Sequence, residues 1–236
     1  KDDLDKISLT RPIIIIHRSF HEFILNTPAM KLLGIRQEAF PDIGEESHLA
    51  NFDEGHFSER GAMLVLPNLM RVLAVPQKII IGLNKTKDYL YSNGITVIGN
   101  PGSMYNKNLQ AAKNLTFGSL NTQFESYFFP SALNLVEQFE TNEILDAARE
   151  QISWGAGKLS FLPKHIKLFT DGAMYSQNMV MRDGYLDGHE GSWLMDGKTY
   201  SDLFKIFWDD GYQIHIHQNG DAALDRILTT LEKNLD

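Results

Sequence analysis

From residue 94 onward this chain keeps one period, a short apolar strand, a turn and a helix, and that alternation narrows its fold more than any other feature. Gly94-Ile-Thr-Val-Ile-Gly99 reads as a buried strand that closes on Asn100-Pro-Gly102. Residues 123–129 read as an aromatic strand, 166–170 as a third strand and 213–217 as a fourth. Helices over 106–114, 133–150, 200–209 and 221–235 separate and close them. Strands alternating with helices pair in parallel through right-handed crossovers, so the fold class is α/β. Four such units suit an open doubly wound sheet or half of an eight-stranded barrel. A dinucleotide-binding sheet requires Gly-x-Gly-x-x-Gly after its first strand, and Gly99-Asn-Pro-Gly-Ser-Met104 does not supply it. The residues at the strand tips favour the barrel, where side chains of different strands converge at that edge.

The first ninety residues lack this period. Arg11-Pro-Ile-Ile-Ile-Ile16 reads as a short β-branched strand, and Asn26-Thr-Pro-Ala-Met-Lys-Leu-Leu33 as a helix stopped at Gly34. Residues 36–60 read as an irregular polar loop, and 64–90 as helix interrupted at Pro67 and Pro76. A second loop, 171–198, is long for a compact domain, which points to a function for it. With 43% hydrophobic residues over 236 positions the chain can bury a real core. A net charge of −8 and no Lys/Arg-rich run argue against nucleic acid or an anionic membrane as partner. There is no cysteine, so any metal here must use His, carboxylate or a modified Lys. The longest apolar run, Pro12-Ile-Ile-Ile-Ile16, is too short to span a bilayer. The chain begins at Lys1 without a secretory pattern; its compartment stays open, with the cytoplasm as default.

Chemistry concentrates at two strand tips. In Tyr212-Gln-Ile-His-Ile-His-Gln-Asn-Gly-Asp221, His215 and His217 are two apart on a strand and point to the same side. Such a pair is a ready two-nitrogen metal ligand set; the plain alternative is two satisfied core histidines, with His215, the deeper one, more suited to packing. Lys167 sits among Ile166, Leu168 and Phe169, where an unpaired ammonium is costly. Burial lowers a lysine's pKa and makes it a Schiff-base amine or a carbamate former. Alternatively, Lys167 snorkels outward or pairs with Asp171. Asp171-Gly172 ends that strand, either orienting Lys167 and binding substrate or making an ordinary turn. Asp221 reads first as a helix cap. Of His17 and His21, one lines a pocket and one is exposed. His48, His56, His165 and His189 read as surface residues. Tyr185 and Trp193 of the long loop either close over a substrate or pack the loop. No Gly-x-Ser-x-Gly elbow, phosphate-binding loop or EF-hand is present.

Four segments, in this order, resemble the amidohydrolase superfamily, and within it amidohydrolase family 3, the YtcJ-like group that includes N-substituted formamide deformylases. They are Arg11-Pro-Ile with His21, Asn26-Thr-Pro-Ala-Met30 and Gly34-Ile35; Gly94-Ile-Thr-Val97; Ile166-Lys-Leu-Phe-Thr-Asp-Gly-Ala173 with Gly184-Tyr-Leu-Asp187; and His217-Gln-Asn-Gly-Asp221 with Ala223. The resemblance implies a partial (β/α)8 TIM barrel, about strands two to five, in residues 91–236. Residues 1–90 would be an inserted α+β segment that forms a substrate lid. It implies a metal-dependent hydrolase in which a divalent metal, zinc, activates water against a small amide-like substrate. Lys167 matches the fourth-strand lysine, carboxylated in many members, and His217 the fifth-strand ligand, with His215 beside them. The expected catalytic set is Lys167, His217 and Asp171; the expected substrate contacts are His21, Tyr185 and Trp193. The family's first-strand His-x-His, sixth-strand His and eighth-strand Asp have no counterpart here. The chain is therefore expected to be an internal fragment, inactive by itself, that self-associates through exposed strand edges or covers those edges with its own helices. The rival expectations are a non-catalytic binding or assembly module on a degenerate barrel and, last, a Schiff-base lyase using Lys167.

Overall fold

The computed structural model describes residues 1–41 and 44–235; positions 42 and 43 of the expected 36–60 loop lie outside them. It is a mixed α/β structure whose chain divides into two compact units. One holds Lys1–Val75, Asp171–Leu194 and Asn219–Leu224; the other holds Pro76–Thr170, Met195–Gln218 and the remainder.

The first unit opens with α1 (Asp2–Ile7), then β1 (Ile14–Ile16), β2 (Glu22–Leu25), α2 (Thr27–Leu33), β3 (Ala50–Asn51), β4 (His56–Ser58) and α3 (Glu59–Leu73). Its strands form an antiparallel sheet in the order β1-β2-β4-β3. Only the strand at 11–16 is expected from sequence; β2, β3 and β4 are two to four residues long, too short to show an alternating pattern. Phe23, Leu25 and Phe57 turn inward against Ala62, Val65 and Leu69 of α3. Pro67 does not interrupt α3. It lies on the exposed side of the helix, opposite that apolar stripe, so packing carries the helix through it. Asn26 is fully buried and fully used. Its side-chain oxygen accepts from Ile13 N at 2.8 Å and from Ala29 N at 3.0 Å, capping α2; its amide donates to Ser8 O and Arg11 O. Gly34, at φ 68°, ends α2 as the sequence leads one to expect.

The second unit contains α4 (Pro76–Ser92), β5 (Val97–Ser103), α5 (Lys107–Thr116), β6 (Glu125–Pro130), α6 (Ala132–Val136), α7 (Ile144–Ile152), β7 (Leu159–Phe161), β8 (His165–Phe169), α8 (Gly197–Asp209) and β9 (Gln213–His217), with most of α9 (Asp221–Glu232). All its strand pairs are parallel: β5 with β6, β6 with β7, and β8 with β9. An isolated parallel bridge from Ser131 to Lys167 carries the line of β6 alongside β8. β5 is not buried, and it runs on through Asn100-Pro-Gly102; Val97 is 58% exposed. As an edge strand it accepts Pro101, which a central strand would not. The helix expected over 133–150 is two helices, broken where exposed Glu140-Thr-Asn142 offers no apolar face. On β8, Ile166 and Leu168 are fully buried, in one core with Leu203, Phe204 and Phe207 of α8 and Ala147 and Ala148 of α7. A second core joins Phe117, Phe124, Phe128, Leu159 and Phe161. Between residues 171 and 196 the chain is irregular apart from a short turn at Met174–Ser176, which matches the expected long loop.

Candidate functional site

Two-residue alternation decides what β8 shows to its other face. With Ile166 and Leu168 facing the helices, His165, Lys167 and Phe169 point the opposite way and stay half-buried. The parallel register sets Lys167 beside His215 and Phe169 beside His217, so β9 adds both histidines to that face. Lys167 lies next to Gly102 and Ser131, where a side chain at 102 would sit 3.5 Å from its Cγ. Its ammonium is 5.2 Å from the Phe169 ring centroid. Burial pushes its pKa below the ordinary lysine value. Lys167 does not snorkel into solvent; it stays half-buried within the sheet.

His215 is already engaged. Its Nε2 lies 2.9 Å from His165 Nδ1, and its ring stacks on Phe129 at 4.4 Å and on His165 at 5.1 Å. Burial, then His165 and Lys167, lower its pKa, which favours the neutral ring. His165 is therefore no surface residue: it is half-buried and shares this face, because a histidine at a strand start takes the parity of the strand. His217 is the last residue of β9, 5.7 Å from the Phe169 ring, and its carbonyl accepts from both the amide and the hydroxyl of Thr170.

The first unit assembles a different group of polar residues. Asp171 is fully buried, and its carboxylate accepts from the backbone amides of Val180 at 3.0 Å, Asn219 at 3.0 Å and Gly220 at 2.7 Å. It thus ties together the segments that follow β8 and β9. Gly220 allows this closure: a Cβ there would meet Val180 O at 1.9 Å. Asp221, expected as a cap, instead accepts from Arg182 N at 3.0 Å as well as from Ala222 N. Trp193 pairs with Asp171 through an antiparallel backbone bridge. Tyr185 stacks on His189 at 4.1 Å, and His189 is held between Asp187 and Gln177 O.

Glu59, which carries no signal in the sequence, is the other buried carboxylate among the described residues of this unit. An acid just before an apolar helical run reads as an ordinary partner for the helix dipole. In the fold its Oε2 is 2.8 Å from His21 Nδ1, while its Oε1 accepts from Ala173 N at 2.9 Å and Ser176 Oγ at 2.8 Å. Burial pushes the Glu59 pKa up, but these hydrogen bonds outweigh it and hold it below the usual value. The same bond raises His21. Gly172 makes room, since a Cβ there would approach the Glu59 carboxyl carbon to 3.1 Å. Of the pair His17 and His21, His21 is the one built in, while His17 turns to Ser19.

Lys167 and His217 share a face, but among the described residues no three His, Asp, Glu or Cys side chains form a group that could hold a metal ion. Zinc sites normally take three or more protein ligands. The donors among the described residues do not by themselves complete a metal site.

Compared with known proteins, residues 1–236 match the family described as "Amidohydro_3: Amidohydrolase family". The exoenzymes regulatory protein AepA of Pectobacterium carotovorum subsp. carotovorum is 22% identical over 236 residues, 98% of this chain and 49% of its own. A crystal structure of an uncharacterized metal-dependent hydrolase from Pyrococcus horikoshii OT3 superposes with a TM-score of 0.64 at 17% identity, over 98% of this chain and 44% of that one. One from Pyrococcus furiosus gives 0.61 at 18%, over 99% and 45%. The chain spans about half the length of these relatives.

Proposed function

This chain belongs to the amidohydrolase family, and from that premise we propose that it is part of a metal-dependent hydrolase acting on non-peptide carbon–nitrogen bonds of small amide-like molecules. The observation that carries this reading is the placement of Lys167 and His217 on one face of the parallel β8–β9 pair, with the lysine pKa depressed by burial. That depression favours a neutral amine, the form that accepts carbon dioxide to become an anionic ligand. Lys167 and His217 would each give one ligand to a divalent metal, zinc by preference. When bound, such a metal supplies an activated water and polarises a carbonyl. The solved relatives with this fold are described as metal-dependent hydrolases, which supports the assignment. The finer architecture proposed with it is a partial (β/α)8 barrel, the remaining ligands coming from outside these 236 residues. Residues 1–90 act as the lid and His21, Tyr185 and Trp193 as contacts to substrate.

The test is Lys167→Ala and His217→Ala in the longer parent protein. Each is expected to lose bound metal, measured by elemental analysis, and to lower amide hydrolysis by at least about 100-fold. Unchanged metal content and activity in both variants would sink the proposal. The second reading, a binding or assembly module without catalysis, is favoured by the absence of a three-residue metal group among the described residues; it wins if the intact parent also binds no metal.

A further inference from the structure

His189, in the long loop after β8, is bonded through both ring nitrogens. Its Nδ1 faces the Asp187 carboxylate, and its Nε2 lies 2.9 Å from the carbonyl oxygen of Gln177. A carboxylate and a carbonyl only accept hydrogen bonds, so both bonds exist together only when each nitrogen carries a proton. A neutral imidazole has one N–H, and the imidazolium has two. His17, which meets the Ser19 hydroxyl, and His165, which meets His215, make no such demand, since a neutral ring satisfies either partner. The Gln177 carbonyl raises the His189 pKa above its ordinary 6.5; burial opposes it, and Asp187 adds to it. Asp187 is in turn held below its ordinary value by the His189 amide and ring, so it is ionised at neutral pH. The Tyr185 ring lies on His189 with the two planes 12° apart, a face-to-face contact that suits a cation against a π ring. Burial pushes the Tyr185 phenol up, so it brings no charge. Asp187 and Tyr185 are the titratable groups in contact with the ring among the described residues.

Each end of this arrangement is a turn of the backbone. Gln177 has a φ of +56°, in the left-handed region that a residue with a Cβ holds only when its surroundings favour it. It closes the turn at Met174–Ser176, and its own amide donates to Met174 O at 3.1 Å. At the other end the Gly188 amide donates to Tyr185 O at 2.9 Å, and the Tyr185 amide to His189 O at 3.1 Å. The His189 ring joins these two turns within one unit.

We propose that His189 is a proton-operated clasp of the 171–194 loop: as an imidazolium it ties Gln177 to Asp187 and seats Tyr185, and the loss of one ring proton releases one of the two ends. The joined form is the charged one. The clasp is therefore complete below pH 6.5 and is lost as pH rises through the raised native value. It deepens the proposed function by giving Tyr185, read above as a substrate contact, a support that depends on pH. It rests on that reading only for what Tyr185 touches.

The experiment uses the chain with 15N-labelled histidine to follow the ring, and amide hydrogen exchange, corrected for its intrinsic pH dependence, to follow the loop. His189 is expected to titrate with a midpoint above the ordinary imidazole value. Protection of the Gln177, Tyr185 and Gly188 amides is expected to fall at least about threefold as the ring loses its proton. His189→Phe keeps a ring against Tyr185 and removes both hydrogen bonds. In that variant protection of the same amides is expected to be low at every pH, with no step. A His189 midpoint at or below the ordinary value overturns the proposal, and that result requires no variant to fold. So does protection that is equal on both sides of the midpoint, or protection in His189→Phe that matches the unmodified chain below it. None of these readouts uses hydrolysis, so failure of the clasp and failure of the hydrolase reading are separate results.

Discussion

Glu59 and Asp171 are both fully buried, and each is held as an anion-like acceptor by different means. Asp171 takes three backbone amides and organises loops, whereas Glu59 takes one amide, one hydroxyl and a titratable ring. The second arrangement makes stability depend on pH. Glu59 is lowered from its ordinary 4.5, so its contribution is present above that value and is lost as pH falls through the native pKa. His21 is raised from 6.5, so its contribution is present below that value and is lost as pH rises through the native pKa. The advantage of the native chain over Glu59→Gln in urea unfolding is therefore expected to be largest between pH 4.5 and 6.5, shrinking on both sides. A difference that stays flat from pH 4 to 9 would remove the ion pair from the account. The limits of sequence reading show clearly at this scale. Asp171 is legible as important because Asp-Gly follows a strand, but its partners, Val180 and Gly220, are far along the chain. Glu59 is not legible at all, since a helix start explains an acid there without a histidine 38 positions away.

At the scale of elements, β8 and β9 are where sequence and structure agree best, because two-residue alternation is a local property. Ile166 and Leu168 on one side and Lys167 on the other follow from parity alone. Register is not local, and it is the pairing of Lys167 with His215 that puts the lysine and both histidines on one face. The antiparallel sheet of the first unit is illegible for the opposite reason: its strands are stabilised by Phe23 and Phe57 meeting a helix, not by any run of their own. Glycines mark the tight joints. Gly220→Ala would drive a methyl into Val180 O, 1.9 Å from its position, with the backbone fixed by Asp171. A loss of at least about 2 kcal/mol is expected in urea denaturation. Gly82→Ala, in the exposed middle of α4 with nothing within 4 Å, is the matched control and is expected to gain about 0.5–1 kcal/mol. Equal effects at the two sites would show that close packing at Gly220 is not what that glycine serves.

For the whole molecule, the parallel sheets leave edges. Among the described residues β5 pairs only with β6, and β9 only with β8. β5 offers Val97 at 58% exposure, and α4 of the same unit has no buried residue along its length, with Ile81 at 56%. An open strand edge with apolar side chains takes up another strand unless charge, proline or a cover prevents it. Pro101 blunts only the far end of β5 and leaves Val97-Ile98-Gly99 available. The isolated chain is therefore expected to associate with itself through β5. Sedimentation velocity over a hundredfold range of concentration should show a monomer that gives way to a dimer or larger species. Val97→Lys, a charge at the open edge, should weaken that association about tenfold or more while leaving the circular dichroism spectrum unchanged. In the longer parent, where this reading seats another strand of the same barrel against β5, the same substitution should instead lower stability without changing the oligomeric state. A chain that stays monomeric throughout the range would mean that the edge is covered by means other than strand pairing, and the half-barrel picture of these residues would fall with it.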